Sequence, residues 1–312
     1  MTQIIAGVDV SSSTLDARIG RDGVEKSFKN NLNGAEEMIS FCREHKVELV
    51  VMEATGGYEK AAFCQLWQAG IPAAIVNPRS VRWFAEAMGC FEKTDRIDAG
   101  LIAWYAESKR IVAQEPAKET QEQLAALVTR LRQVTEVRAM QLNQKRLVRE
   151  PEVLASFQEL ISLLTCQIRA LEQKVAKLIE QDPLWAKMDE AFRTIKGVAD
   201  RTVARLMAEM PEIGTISHKA ISKLSGVAPM ARDSGNLKGR RAIRGGRANV
   251  RSILYVVADI VRRYDADFAE FHKRMLAAGK KKKVIRIALA HKLLVRLNAK
   301  ARDVRRNFLP VA

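Results

Sequence analysis

The first 115 residues alternate short apolar runs with longer helix-like segments. Runs rich in Val and Ile predict buried strands, and the apolar–polar alternation from Leu15 to Ile19 predicts a half-buried strand. The predicted strands cover residues 4–10, 15–19, 24–29, 47–52 and 71–76. The predicted helices cover residues 33–45, with Asn33 as the N-cap, 58–69, 79–88 and 95–109. This order predicts an α/β domain with a mixed sheet and helices on its faces, as in the ribonuclease-H-like fold.

Residues 116–190 contain no glycine and follow a helical pattern. One helix is predicted to end near Glu150, and Pro151 fits the first position of a second helix. Seven apolar residues of this second helix recur at alternating spacings of four and three, which is a heptad pattern. They are Phe157, Ile161, Leu164, Ile168, Leu171, Val175 and Leu178. The pattern predicts a helical coiled-coil segment, as an antiparallel hairpin or a dimerising coiled coil, with packing inside one chain as the alternative.

The apolar periodicity of residues 191–312 predicts a mainly α-helical domain, with helices over 248–262, 267–279 and 284–297. The segment from Thr194 to Thr202 lies between helical stretches. It resembles a helix-hairpin-helix turn, whose backbone N–H groups point at a phosphate. Lys196 and Gly197 lie at its centre and are candidate nucleic-acid contacts, although an ordinary turn between two helices explains the pattern equally well.

The excess of positive over negative charge lies in the last of these three segments. Residues 1–115 carry 13 Lys/Arg and 16 Asp/Glu, residues 116–190 carry 11 of each, and residues 191–312 carry 28 and 9. The whole excess of +16 therefore comes from the basic C-terminal domain. This asymmetry predicts a polyanionic partner, and a basic surface without a partner is the alternative.

Membrane, secreted and zinc proteins fit the sequence poorly. There is no run of 18 apolar residues, and the first residues have neither a basic region nor a signal-cleavage site. The four cysteines, Cys42, Cys64, Cys90 and Cys166, are far apart and suit reduced core thiols. We therefore expect a cytoplasmic protein with no membrane partner.

Four carboxylates come at strand ends or at the start of a helix. Asp9 and Glu53 end apolar strands, whereas Asp95 and Asp98 are spaced i, i+3 on one face of the helix predicted at 95–109. Carboxylates without nearby His or Cys favour a hard cation, so the sequence predicts a Mg²⁺ or Mn²⁺ site for phosphodiester chemistry. Simple stabilisation of the helix N-terminus by its acids is the alternative for Asp95 and Asp98.

The stretch from residue 232 to residue 251 is rich in glycine and arginine and lacks a core pattern. Glycine permits close approach of the backbone to a partner, and arginine suits bidentate contact with phosphate. The candidate nucleic-acid contacts here are Lys238, Arg240, Arg241, Arg244, Arg247 and Arg251. Ser234, before Gly235, is a candidate nucleophile whose arginine neighbours would steady the attacked phosphate, although Ser-Gly is also a common turn pair.

These motifs together resemble the DEDD-type insertion-sequence transposases, the family that includes Piv-like invertases and bridge-RNA-guided recombinases. The motifs are GVDVS (7–11), MEATGGY (52–58), NP (77–78), KTDRIDA (93–99), SGVAP (225–229), SG (234–235) and IRGG (243–246). The resemblance covers nearly the whole chain in the right order. Two details depart from it: an acid, Asp233, precedes the serine, and Gly246 stands where some members have Asn.

The resemblance implies three domains: a RuvC-like catalytic domain (1–115), a coiled-coil segment (116–190) and a C-terminal transposase domain (191–312). It implies that Asp9, Glu53, Asp95 and Asp98 bind the metal and that Ser234 forms a covalent phosphoserine link to DNA. It also implies a composite site with the tetrad and the serine on different subunits, hence a homodimer or homotetramer. The implied partners are donor DNA, target DNA and a guide RNA from the same element, and the implied place of action is the bacterial nucleoid.

Three other readings compete. A RuvC-like junction resolvase or nuclease would use metal-activated water and would not need Ser234. An actin-like ATPase would use residues 7–13 as a phosphate loop, but residues 1–115 lack its second glycine-rich loop. A DNA-binding protein without catalysis would use the four acids only to stabilise helix and strand ends.

Overall fold

The structure is a computed structural model, and it divides the chain into two compact units, Met1–Ala117 and Lys118–Ala312. It describes residues 3–90, 95–231, 233–235, 239 and 241–308, with the backbone alone for residues 95–97. Each unit is described separately. The three-domain division stays a prediction.

The first unit consists of a five-stranded sheet and four helices in its described part. The strands are β1 (Ile5–Val10), β2 (Thr14–Ile19), β3 (Glu25–Lys29), β4 (Leu49–Glu53) and β5 (Ala73–Val76). The helices are α1 (Leu32–Glu44), α2 (Lys60–Gln68), α3 (Pro78–Ala87) and α4 (Asp95–Lys109). Each lies within a few residues of its predicted position.

The sheet has the strand order β3-β2-β1-β4-β5. Strand β2 pairs antiparallel with β1 and β3, whereas β4 pairs parallel with β1 and β5. The predicted mixed sheet is confirmed, and its topology is consistent with a ribonuclease-H-like domain.

Side chains of the sheet alternate between two helical layers. Val8 on β1 and Met52 on β4 belong to a core with residues of α1 and α2. Ile5 and Val51 point to the opposite face of the sheet and belong to a core with residues of α3 and α4. Asp9 is four residues beyond Ile5 on the same strand, so its side chain points to the same face, towards α3 and α4.

The first helix begins earlier than the sequence suggested. Asn31, and not Asn33, is the N-cap of α1: its backbone is extended, and its side chain accepts a hydrogen bond from Gly34 N at 2.9 Å. Asn33 is already inside the helix. The predicted cap was wrong because either asparagine suits the position by type, and the bend of the chain after β3 selects the earlier one.

Gly7 lets helix α4 cross β1 in close contact. A Cβ atom added at Gly7 would lie 2.1 Å from Ala99 O and 2.6 Å from Ala103 N, both backbone atoms of α4. No side chain can rotate away to relieve such contacts. The glycine is therefore required by packing, and it sets the distance between α4 and the sheet.

Gly7→Ala is expected to destabilise the protein by about 2–3 kcal/mol, because α4 has to move off the sheet. Urea denaturation measures this loss. Gly20→Ala is the control, since its added methyl group meets open space and only a φ of +62° opposes it. A smaller effect of Gly7→Ala than of Gly20→Ala would contradict the close crossing.

The second unit is mainly helical. Its helices are α5 (Glu119–Lys145), α6 (Pro151–Gln181), α7 (Pro183–Arg193), α8 (Asp200–Glu209), α9 (His218–Leu224), α10 (Ala248–Tyr264), α11 (Ala266–Ala277) and α12 (Lys282–Phe308). Two short strands, β6 (Pro229–Met230) and β7 (Ala242–Ile243), pair antiparallel as a ribbon. The last helix is longer than predicted and supplies much of the core, from Ile285 to Ala301.

Helices α5 and α6 pack along each other as a hairpin. Leu131 and Val134 of α5 meet Leu164 and Ile168 of α6 in a small separate core. Towards α7, the hairpin joins the main core of the unit. Pro151 is the first residue of α6, as predicted. The arrangement as a coiled coil stays a prediction.

In the described part of the chain, none of the helices is long and apolar enough to cross a membrane.

Candidate active site

Asp9 and Glu53 lie side by side at the same edge of the sheet. Strands β1 and β4 run parallel with Val8 opposite Met52, so the following residues, Asp9 and Glu53, stand at the same level. Adjacent strands are about 4.8 Å apart, and residues at one level point to the same face. The pairing therefore brings together two carboxylates that are 44 positions apart in the sequence.

Helix α4 brings a third carboxylate to this face. Asp98 immediately precedes Ala99, whose carbonyl oxygen lies over Gly7 of β1. Asp9 is two residues beyond Gly7 on the same side of the strand. The backbone of α4 at Asp98 therefore crosses β1 close to Asp9. Asp95 is one helical turn earlier on α4, and its side chain lies outside the described residues.

A pocket of about 480 Å³ joins two of these carboxylates to α3. Glu53 and Asp98 line it together with Arg79 and Arg82. Arg82 is also paired with Glu86 on its own helix, with 3.3 Å between Nε and Oε1. Neither arginine was predicted from the sequence as a site residue. The signal was available, because both follow the Asn-Pro pair that begins α3.

Asp16 is a further carboxylate on this face, and it was not predicted from the sequence. It pairs directly with Asp9 across β1 and β2, so both point to the same face. Its Oδ2 accepts a hydrogen bond from Thr14 Oγ1 at 3.0 Å, and that hydroxyl lies 2.8 Å from Ser11 Oγ. Strand alternation indicated the face of Asp16 within β2, but only the hairpin register places it opposite Asp9.

Ser234 lies in a loop between the ribbon strands β6 and β7. Pro229 pairs with Ile243 and Met230 with Ala242, so the ribbon closes the base of the loop. Ser234 is exposed. The neighbouring acid, Asp233, accepts a hydrogen bond from Gly239 N at 3.1 Å, which ties the two sides of the loop together. An exposed hydroxyl on a tethered loop is accessible to a large substrate.

The predicted basic contacts are exposed, hydrogen-bonded within the unit, or outside the described residues. Lys196, Arg241 and Arg244 are exposed, and Arg251 donates to Gly245 O at 2.6 Å. Lys238 and Arg240 lie outside the described residues.

Arg247 differs from the other basic residues because it has a strong partner inside the unit. Its guanidinium donates two hydrogen bonds to the Glu212 carboxylate, at 2.7 and 2.6 Å, and a third to Glu209 O at 2.8 Å. Burial raises the pKa of Glu212, but the hydrogen bonds and charge of Arg247 outweigh it and hold that pKa below its ordinary value. Arg247 therefore fixes the start of α10, and its contact with nucleic acid stays a prediction.

The turn between α7 and α8 is tight and packs on α10. Gly197 has a φ of +99°, and a Cβ atom there would lie 3.2 Å from the backbone of Val261. Val198 N donates to Ile195 O at 3.0 Å, which closes the turn. Packing alone thus explains the glycine, and the phosphate contact of Lys196 and Gly197 stays a prediction.

Comparison with known proteins finds family models that match parts of both units. A DEDD-type "Transposase" family model of the IS110 group matches residues 6–148, and the "Transposase IS116/IS110/IS902 family" model matches residues 189–273. The pilin gene-inverting proteins of Moraxella bovis and Moraxella lacunata are each 28% identical over 309 residues, covering 94% of this chain and 94% of the relative.

The two family models together span more than two thirds of the chain, and the first match extends from the first unit into α5 of the second. The first match contains Asp9, Glu53, Asp95 and Asp98, and the second contains Ser234 and the arginine-rich loop. The chain is a DNA transposase or recombinase, and it belongs to the DEDD-type insertion-sequence transposase family.

Proposed function

We propose that this enzyme cuts and rejoins DNA with two sets of residues. Asp9, Glu53, Asp95 and Asp98 hold a divalent cation, and Ser234 forms a covalent bond with the DNA. The observation that carries the proposal is the parallel register of β1 and β4, which brings Asp9 and Glu53 to one level beneath α4. A nuclease that uses water as its nucleophile is the second candidate, since it would need the same carboxylates.

The residue types suit a hard cation, although no three His, Cys, Asp or Glu side chains among the described residues lie close enough together to hold one. The ligand atoms of the four carboxylates are all oxygens, as Mg²⁺ and Mn²⁺ prefer, and they come from elements held by a buried core. When bound, such a cation supplies Lewis-acid stabilisation of the charge that builds up at a phosphodiester. Arg79 and Arg82, which share the pocket of Glu53 and Asp98, are placed to neutralise a neighbouring phosphate.

Ser234 is proposed to attack a phosphorus atom of one DNA strand. A bond forms between its Oγ and the phosphorus, and the bond from that phosphorus to the adjacent sugar oxygen breaks. The hydroxyl proton ends on the released sugar oxygen. Because the phosphodiester energy is kept in the Ser234–DNA link, attack by a different sugar hydroxyl can rejoin the strands without an external energy source.

The basic unit is proposed to bind the DNA and a guide RNA made from the same element. It carries the whole excess of positive charge, and Lys196, Arg241 and Arg244 are exposed. Neutralisation of phosphates releases counterions, so binding should weaken steeply with salt. The guide RNA follows from the family resemblance.

A homodimer or homotetramer is proposed to form through the α5–α6 hairpin. Beyond its small core, the hairpin carries exposed apolar side chains, among them Leu147 at 88% and Leu163 at 55% exposure. Exposed apolar surface of this kind often marks a protein interface. The tetrad of one subunit would then act with the serine of another.

The test uses the full-length protein with any RNA that copurifies, DNA carrying the element ends, and Mg²⁺. We expect a protein–DNA adduct that survives denaturation and that fails to form with EDTA. Treatment with ribonuclease before DNA addition should also prevent it. Cleaved DNA without any adduct would favour the water-dependent nuclease, and an adduct after complete RNA removal would contradict the guide RNA.

A further inference from the structure

A cavity of about 1050 Å³ lies in the second unit between the ribbon β6–β7 and helices α10, α11 and α12. We call it the aromatic cavity. Its lining includes Arg241, Tyr255, Phe271, Lys283, His291 and Lys292. Cavities that bury most of a small ligand measure about 300–1,000 Å³, so a complete nucleoside fits inside.

The lining combines an apolar wall with positive charge. Arg241, Lys283 and Lys292 are cationic, and none of the described lining residues is acidic. Burial, together with the nearby His218, lowers the pKa of His291, so its imidazole is largely neutral at neutral pH. The charge pattern complements a ligand with a flat apolar part and an attached anion, which is the chemistry of a nucleotide.

Two aromatic rings of the cavity are held by cations. The Arg286 guanidinium lies 4.2 Å from the Tyr255 ring centroid, and its Nε donates to Tyr255 O at 2.8 Å. Lys292 Nζ lies 5.2 Å from the Phe271 ring centroid. Rings fixed in this way lose little freedom when a base stacks on them, and nearby cations can pair with its phosphate.

The cavity adjoins the strands that frame the serine loop. Pro229 of β6 and Ala242 of β7 both line it. Ser234 follows Pro229 by five residues, and five extended residues reach about 18 Å at most. A DNA strand in contact with Ser234 therefore passes within a few nucleotides of the cavity.

We propose that the aromatic cavity binds unpaired bases of the DNA strand whose phosphate Ser234 attacks. The inference rests on the proposed function for the identity of that strand. A base stacked inside a duplex cannot reach such a cavity, so the site selects DNA that is locally melted. The bases pack against Tyr255 and Phe271, and the sugar–phosphate backbone lies beside Arg241 and Lys283.

The test measures binding of a single-stranded deoxyoligonucleotide that contains 2-aminopurine, with Ser234→Ala protein in EDTA. In this background, Tyr255→Leu and Phe271→Leu should each weaken binding about tenfold, and the quenching of the fluorescent base should be lost. The dependence of affinity on salt should stay the same, because no phosphate contact is removed. Binding of the corresponding duplex should change little.

Tyr264→Leu is the matched control, because Tyr264 is on the same helix, is 63% exposed and does not line the cavity. Ala288→Phe fills the cavity without removing an aromatic ring or a charge, and it should weaken single-strand binding as well. It also serves if Tyr255→Leu fails to fold. Unchanged affinity in Ala288→Phe and Phe271→Leu, or an equal loss on duplex DNA, would overturn the proposal.

A ribo-oligonucleotide of the same sequence separates DNA from RNA as the source of the bases. Tenfold tighter binding of the ribo form would overturn the assignment to the DNA strand. Because the assay needs neither metal nor Ser234, its failure is distinct from failure of the proposed function. Tyr255→Leu and Phe271→Leu can also be made in protein that keeps Ser234. If these variants lose base stacking but still form the protein–DNA adduct, the role of the cavity is refuted and the proposed function stands.

Discussion

Ser234→Ala should abolish the covalent protein–DNA adduct and reduce strand exchange by on the order of 10³-fold or more, because removal of a nucleophile leaves no group to carry the DNA. The side chain is exposed, so loss of its hydroxyl removes no packing. Folding should therefore be unaffected. Denaturing gel analysis of reactions with end-labelled DNA detects the adduct directly.

The control for this variant is Ser252→Ala, which removes an exposed hydroxyl from α10 in the same unit. It should retain full activity. Cleavage of DNA by Ser234→Ala at the normal rate would refute the serine mechanism and support a metal-dependent nuclease. Asp233→Ala adds a further comparison, since Asp233 accepts the hydrogen bond of Gly239 N across the loop, and loss of this acceptor should misplace Ser234 without removing the nucleophile.

Asp9→Asn should reduce metal-dependent activity by a similar factor, on the order of 10³-fold, because a neutral amide is a weak ligand for a hard cation. The substitution preserves the size of the side chain. Binding of Mg²⁺ to the folded state should raise the melting temperature of the unaltered protein but not that of Asp9→Asn. Thermal melts with and without Mg²⁺ measure this difference.

Asp22→Asn is the matched control in the first unit, since Asp22 is exposed in the turn between β2 and β3. Its melting temperature should respond to Mg²⁺ as the unaltered protein does. An equal Mg²⁺ response in Asp9→Asn would rule out Asp9 as a ligand. Loss of activity with the Mg²⁺ response intact would instead point to a role in DNA binding.

Mixing Asp9→Asn with Ser234→Ala protein tests the composite site. If the tetrad and the serine come from different subunits, mixed dimers contain one intact site. Random exchange should then restore roughly a quarter of the sites, because half of the dimers are mixed and each has one good site of two. No recovery after complete exchange would show that both sets act within one subunit.

Several features of the first unit could be predicted from the sequence. The apolar runs of β1 and β4 are long and β-branched enough to specify buried strands. They also indicated that Asp9 and Glu53 stand at strand ends. The cap of α1 was misassigned, because Asn31 and Asn33 are equivalent by type and only the path of the chain after β3 distinguishes them.

Other features of the candidate site required the tertiary structure. Periodicity tells which side chains face a core, but it carries no information on which strand is the neighbour or in what register. Asp16 opposite Asp9 is a result of hairpin register. The pairing of Arg247 with Glu212 joins residues 35 positions apart, and composition had grouped Arg247 with exposed loop arginines.

The sequence by itself determined the order of the elements, the basic C-terminal segment and the residue types for the proposed chemistry. These properties are local, because they depend on side-chain period, charge and motif. Only the tertiary structure decided that Glu53 and Asp98 share a pocket, that α4 packs on Gly7, and that the aromatic cavity borders the ribbon β6–β7. Such features depend on contacts between distant segments, which form only when the cores of each unit pack.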